Sequence, residues 1–353
     1  MDANSYIIGR FKAQANKFSE IITKSLCVSK QKLIKQLIYG IQASKDVKLS
    51  NISRALQEDI PLIKTEDRLS RNLGDEDFTE HINSQTLRLG DDKINDSMVI
   101  AIDPGDIMKP YAKAMEKLCG IWDGSKGEQA RGYHLCQVTA ANLEHNKVVP
   151  LYCEAYSSEE TGYISSTDKV VKIIDKVRGD NNEIIGHFTN QKLQFVTRLK
   201  LNRWLCMLNK NGSEIQVQTE RMDRHMQFNH KAQITKIEDG KETVINISFG
   251  IKKVALPDKP DIWYNAVVVK GFGEQPMILL TNKEVNIHDA KSVYRIVKIY
   301  LTRWKCDECY RYIKQSYNLE DIRVRSYNSI RNMTVLIPNY ALAISKGYSK
   351  TFE

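Results

Sequence analysis

Met98-Val99-Ile100-Ala101-Ile102-Asp103-Pro104-Gly105-Asp106 is the stretch on which the architecture turns. Five apolar residues in unbroken succession fit a strand covered on both faces. Acid, proline and glycine follow at once, so the reading places Asp103 at the end of a central strand. A turn-capping role ahead of Pro104-Gly105 is the plainer use of the same aspartate.

Outward from that run the pattern stays mixed. Residues 133–141 and 148–156 read as two further strands joined by a polar turn at Glu144-His145-Asn146. A helix is expected over 166–177, another over about 183–188, and a strand over 195–199. Before the run, residues 1–95 read as short helices. Leu49, Ile52, Ala55 and Leu56 recur at helical spacing, Pro61 breaks the pattern, and a polar helix carrying Arg68 and Arg71 follows. Helix, break and basic helix match the outline of a helix-turn-helix reader, and a plain helical hairpin satisfies the same residues equally. Beyond about 204 the sequence alternates. Residues 232–237 and 243–249 around Glu238-Asp239-Gly240-Lys241 predict a hairpin, and strands are expected over 263–269 and 277–280. A long helix over about 290–317 comes next. The expected fold class is α/β with a β-rich insertion, divided as 1–95, 96–203 with 290–353, and 204–289.

The chain has 353 residues, about two domains' worth. With 42% hydrophobic residues and only 8 prolines and 18 glycines, a disordered or collagen-like chain is excluded. Lys and Arg number 52 against 43 acidic residues, a net charge of +9. Residues 291–353 hold 12 of the basic residues and 5 of the acidic ones, so +7 of the +9 falls there. Such a concentration suits a polyanion, and a solvated basic face accounts for it as well. The first residues lack a secretory pattern and no segment has the apolar length of a membrane span, which leads to an expected cytoplasmic location. The 7 cysteines, odd in number and scattered, fit reduced thiols. Cys306-x-x-Cys309 has the spacing of a zinc or redox pair, but it falls mid-helix and lacks a second Cys or His pair.

The long helix has two dissimilar sides. Val293, Ile296 and Val297 form an apolar stripe. On the other side, at about 100° per residue, Tyr300, Arg303, Asp307 and Lys314 fall within a band about 60° wide. One aromatic, one guanidinium, one carboxylate and one ammonium on a narrow face is either a chemical site or an exposed face with an Arg303–Asp307 pair.

Tyr300-x-x-Arg303-x-x-x-Asp307, with Lys314 seven residues on, resembles the Tyr-Arg-Glu-Lys signature of bacterial insertion-sequence DDE transposases. The surrounding text from Arg303 to Gln315, Leu319 to Arg323, Ile102 to Lys109, Asp123-Gly124-Ser125 and Gly132-Tyr133 is similar to the same family, in the same order, from about Leu49 to Ile337. The resemblance implies a ribonuclease H-like core carrying the β-rich insertion and an N-terminal helical DNA-binding domain. It implies metal-dependent DNA cleavage and strand transfer with two Mg²⁺ (or Mn²⁺) ions held by carboxylates, because hard oxygen ligands suit such ions. The implied partners are double-stranded DNA, as terminal inverted repeats and as target, and a second copy of the chain in a synaptic homodimer.

Position by position, the resemblance makes Asp103 the first metal-binding acid and Asp307 the last, where the family has Glu. Glu308 is a companion acid and Asp106 a supporting one. Arg303 and Lys314 become phosphate clamps, with Tyr300 beside them. Arg68 and Arg71 become DNA readers, and Trp263 a stacking residue for an unpaired base, against a plain core role. The match departs at the second acid. The family's Asp-Arg-Gly-x-Asp block is replaced by Asp175-Lys176-Val177-Arg178-Gly179-Asp180, with Val177 at the catalytic position. Asp175, Asp180 or neither fills the role. Asp175 would end a strand over 170–174, yet Val170, Ile173, Ile174 and Val177 share one helical face. The family also has further helices where this chain stops at Glu353. A catalytically inactive remnant that still binds DNA is therefore the alternative to an active enzyme.

Overall fold

Leu33, Leu37 and Ile41 recur at four-residue steps with Ile34 and Ile38 beside them, giving helix α2 (Val28–Ser44) a wholly buried apolar face. The computed structural model describes residues 13, 15–91, 93–124, 126–179, 194–209, 211–238 and 241–348. A helix over 15–22 (α1) precedes α2, and α3 (Leu49–Leu56), α4 (Leu62–Asp75) and α5 (Thr79–Asp91) follow. Lys45 and Gln57, both left-handed, end α2 and α3. The expected helix, break and basic helix are therefore present as α3 and α4.

The chain divides into two compact units, Met1–His187 with Trp304–Glu353, and Phe188–Arg303. The sequence drew its line at residue 95. In the structure the N-terminal helices share their unit with the sheet that follows, and a physical reason is visible in Asn332. This fully buried residue donates to the carbonyls of Leu73 (2.8 Å) and Glu76 (2.7 Å) and accepts from the amide of Phe78 (2.9 Å). It satisfies the end of α4 and the entry to α5 from the last helix of the chain.

In the first unit, β1 (Met98–Met108), β2 (Cys119–Asp123), β3 (Glu128–Asn142) and β4 (Val148–Tyr156) form one antiparallel sheet. Gly132 has Met108 across one edge and Cys119 across the other. β3 is thus the central strand, with β1 on one side and β2 then β4 on the other. Helices α6 (Ser166–Gly179) and α8 (Tyr327–Tyr348) belong to this unit, α8 lying against β4, α4 and α5.

Two expectations are corrected here. The strand does not stop at Asp103; it runs through Pro104 and Gly105 to Met108, with Asp103 opposite Gln137. A proline is tolerated because β1 pairs only with β3 among the described residues, and an edge strand can spare the lost donor. The run 99–102 is half-buried rather than covered on both faces, for the same reason. Residues 170–174 lie within α6, so the helical spacing of Val170, Ile173, Ile174 and Val177 decided that segment, and Ile173 and Val177 are buried. The helix expected near 183–188 lies outside the described residues.

The second unit is a β-sheet in the order β5 (Val196–Arg198), β11 (Met277–Thr281), β10 (Lys259–Lys270), β9 (Lys241–Leu256), β6 (Trp204–Leu208), β7 (Glu214–Gln218), with β8 (His230–Glu238) also paired to β9. Alternation gives it two apolar faces. Leu205, Met207, Val254, Val268 and Ile278 are packed on one. Phe249, Val267, Val269 and Leu279 on the other meet Val293, Ile296 and Val297 of α7 (Ala290–Ser316). The apolar stripe of the long helix therefore does what its spacing predicts. Helix α8 follows it.

Candidate functional site

Asp103 is half-buried in β1, on the strand face it shares with Gln137 of β3. Two residues along the same strand, Gly105 lies beneath Tyr310 of α7, close enough that a Cβ there would sit 3.8 Å from the ring. Tyr310 is one helical turn beyond Asp307. The two carboxylates, distant in sequence, are thus carried onto one side of the sheet by one contact between β1 and α7.

The electrostatics agree. Burial pushes the Cys306 thiol up to about 11, the Thr139 hydroxyl opposes this, and Cys309, Asp307 and Asp103 add to it. Burial likewise pushes the Tyr310 phenol up, and Asp103, Asp106 and Glu320 contribute to that shift. Both aspartates therefore act on the same helical turn. Burial also raises the Cys309 thiol, so Cys306 and Cys309 are held as neutral thiols within α7.

The second half of α7 is fixed over this sheet by named bonds. Lys305 Nζ donates to the carbonyls of Asn142 (2.7 Å) and His145 (2.9 Å) at the β3–β4 turn. Lys109, just past β1, is buried and donates to the carbonyls of Glu320 (2.5 Å) and Ile322 (2.9 Å). Burial lowers its amine to about 8, opposed by Glu320 and Asp321. Gln137, Thr139 and Tyr152 face Cys306, Cys309 and Tyr310 across a crevice of about 10 Å³, room for no more than one water.

The remaining candidates have these surroundings. Lys314 is ion-paired to Glu320 at 2.6 Å at the end of α7. Arg68 is gripped by Glu58 at 2.7 and 2.8 Å and by Gln36 at 2.9 Å, tying α4 to the α3–α4 connection and to α2. A guanidinium so engaged does not reach a base edge without first breaking these bonds. Arg71 remains exposed on α4, its Nε 3.5 Å from the carbonyl of Asp67. Arg303 lies 5.9 Å from the Tyr300 ring centroid, so that pair of the signature is in contact. Trp263 is 42% exposed on β10, and Trp204 is 52% exposed on β6. Trp304 is half-buried. Asp106 turns to the opposite sheet face from Asp103, where it meets His134 at 2.9 Å. Asp175 is exposed on α6, and Asp180 lies outside the described residues.

One group went unnoticed in the sequence. Glu154 on β4 is 1% exposed and bonded to Lys169 (2.9 Å), Arg331 (3.0 Å) and the Tyr152 hydroxyl (2.6 Å). Burial works to raise its carboxyl, but Lys169, Arg331, Tyr152 and Lys176 together hold it below the usual range. A Glu within Leu151-Tyr152-Cys153-Glu154-Ala155-Tyr156 was a signal in plain view, since a carboxylate in a buried strand demands partners.

Among the described residues, no three His, Cys, Asp or Glu side chains converge to hold a metal ion, and no helix is long and apolar enough to cross a membrane. A cavity of about 480 Å³ belongs to the second unit and is lined by Arg221, Arg224 and Lys270 with Glu220, Asp223 and Glu274, charges that balance. No family profile matches the chain, and no curated protein matches it.

Proposed function

We propose that the chain is a DDE-type transposase that binds element-end DNA and cuts and joins its strands with Mg²⁺ or Mn²⁺. The observation that carries this is the placement of Asp103 and Asp307 on one side of the β1–β3–β4 sheet through the contact of Tyr310 with Gly105. Three antiparallel strands in the order β1–β3–β4, then a helix, are also the opening of the ribonuclease H-like core that the resemblance implies.

Asp103 and Asp307 are the residues that would hold the metal. Carboxylate oxygens suit these ions, which when bound lower the pKa of a water nucleophile and stabilise the leaving oxygen of a phosphodiester. The protein's own part is orientation: β1 and α7 fix the two acids, and the Arg303–Tyr300 pair offers a guanidinium fork to a phosphate. The net charge of +9 supports a polyanionic partner and makes the binding salt-sensitive.

A second reading is favoured because no three His, Cys, Asp or Glu side chains come together to hold a metal among the described residues: a catalytically inactive relative that retains DNA binding. One experiment separates them. Labelled duplexes tiling the DNA that flanks the coding sequence are incubated with the purified chain and Mg²⁺ or Mn²⁺. Strand cleavage that disappears in Asp103→Ala establishes the enzyme. Binding without cleavage by the unaltered, folded chain in either metal removes the enzymatic claim and leaves the second reading.

A further inference from the structure

Tyr310 of α7 has a feature that packing does not explain. Its hydroxyl oxygen is buried and has no hydrogen-bond partner among the described residues. The ring lies against Gly105 of β1 and needs no hydroxyl to do so. A buried polar atom left unpaired carries its desolvation penalty in full, so a phenylalanine would fill this place more favourably.

The same residue lines the crevice of about 10 Å³ between α7 and the sheet, together with the polar side chains of Gln137, Thr139 and Tyr152. That space suits one water, and a water settles only where two or more polar groups reach it. Tyr152 already donates its hydroxyl to Glu154 at 2.6 Å. Gln137, buried, uses one side-chain N–H in a long contact with the Cys153 sulfur at 3.9 Å, which leaves its carbonyl and a second N–H. Gln137 also lies directly across from Asp103 on the same sheet face, and cross-strand neighbours so placed have Cβ atoms about 5 Å apart. Each candidate acid therefore has one of these crevice residues as its neighbour: Gln137 beside Asp103, and Tyr310 three residues along α7 from Asp307.

We propose that Tyr310 is a positioning residue for the acid pair. Its hydroxyl and the Gln137 amide hold one water in the crevice, and this bridge fixes the height and rotation of α7 over β1 and β3. The bridge thereby sets the separation of the Asp103 and Asp307 carboxylates, and with it their affinity for Mg²⁺ or Mn²⁺. This role rests on the transposase reading, which gives the two acids a metal to hold. Burial, then Cys153, Glu320, Asp103 and Asp106, raise the Tyr310 phenol, so it stays protonated and able to donate.

Mn²⁺ binding by the full chain is measured from the electron paramagnetic resonance of the free ion, beside thermal melting. The unaltered chain, Tyr310→Phe, Gln137→Met and the double variant are compared. Tyr310→Phe is expected to weaken Mn²⁺ binding about tenfold, as loss of an outer hydrogen bond to a metal site does, while its melting temperature stays equal or rises. A residue that only packs would move the two readings together. Gln137→Met is expected to weaken binding about tenfold as well, and the double variant no more than either alone, because one bridge is lost in all three. Unchanged affinity in Tyr310→Phe overturns the proposal and leaves the transposase reading in place. So does an additive loss of about a hundredfold in the double variant, or weaker binding accompanied by a lowered melting temperature in Tyr310→Phe. Absence of Mn²⁺ binding by the unaltered chain removes both this role and the metal chemistry of the transposase reading.

Discussion

The two units bury different things. In Met1–His187 with Trp304–Glu353, the interior holds Lys30, Asp46, Lys109, Asp123 and Glu154; in Phe188–Arg303, the buried polar side chains among the described residues are neutral, namely Thr219, Asn265, Thr281 and Thr302. A doubly covered apolar sheet is a stable and chemically silent frame. Burying charge brings little stability in itself, because desolvation offsets most of the attraction, so a unit that does it repeatedly invests in fixed positions and polarity. The candidate acids, the Asp106–His134 pair and the Glu154 cluster are all in that unit.

The contrast breaks most sharply at Glu154. Glu154→Ala leaves Lys169 and Arg331 facing each other without their shared anion, and is expected to destabilise by about 3–5 kcal/mol. Because its carboxyl is held below the unfolded value, the stability it contributes is present above the ordinary carboxyl value of 4.5 and is lost as pH falls through the lower folded value. Hydrogen exchange read by mass spectrometry should show the first unit opening as pH falls below about 4.5, while the β-rich unit keeps its protection. Equal opening of both units would end the comparison. Ile296→Ala, on the wholly buried stripe of α7, is expected to remove about 2–5 kcal/mol from the second unit. That loss should be independent of pH from 4 to 8, since only apolar contact is deleted. A pH-dependent loss would show a hidden charge in the frame.

The difference between the units also explains what the amino-acid order revealed. Alternation over 232–237, 243–249 and 263–269 announced strands because each side chain there answers only to its own face. The stripe Val293, Ile296 and Val297 was legible for the same reason. Pattern failed where distant partners decide. Nothing beside Asp103 tells that its strand continues through a proline, because the reason is that β1 pairs only with β3 among the described residues. The narrow band of Tyr300, Arg303, Asp307 and Lys314 was correctly placed on one helix, yet Glu320 claims Lys314 from beyond the helix end. Glu154 and His134 were passed over because their partners come from β1, α6 and α8. Periodicity carries burial; it does not carry the identity of an ion-pair partner.

Arg68 and Arg71, three residues apart on α4, repeat the contrast on a small scale. Arg68 is part-buried with one guanidinium nitrogen on both oxygens of Glu58 and another on Gln36, and the Thr65 hydroxyl together with Arg68 lowers the Glu58 carboxyl against its partial burial. Arg68→Ala should therefore cost about 1 kcal/mol of stability, as a partly exposed ion pair does, and weaken DNA binding only by loosening α4. Arg71→Ala should change stability by less than about 0.5 kcal/mol, since it deletes an exposed side chain with one long contact. Its effect belongs in a binding titration, as reduced discrimination between a duplex from the flanking DNA and one of random sequence. Were Arg68→Ala to lose that discrimination at full thermal stability while Arg71→Ala kept it, the grip of Glu58 would be a resting state. The reading residue on α4 would then be the one that looks structural.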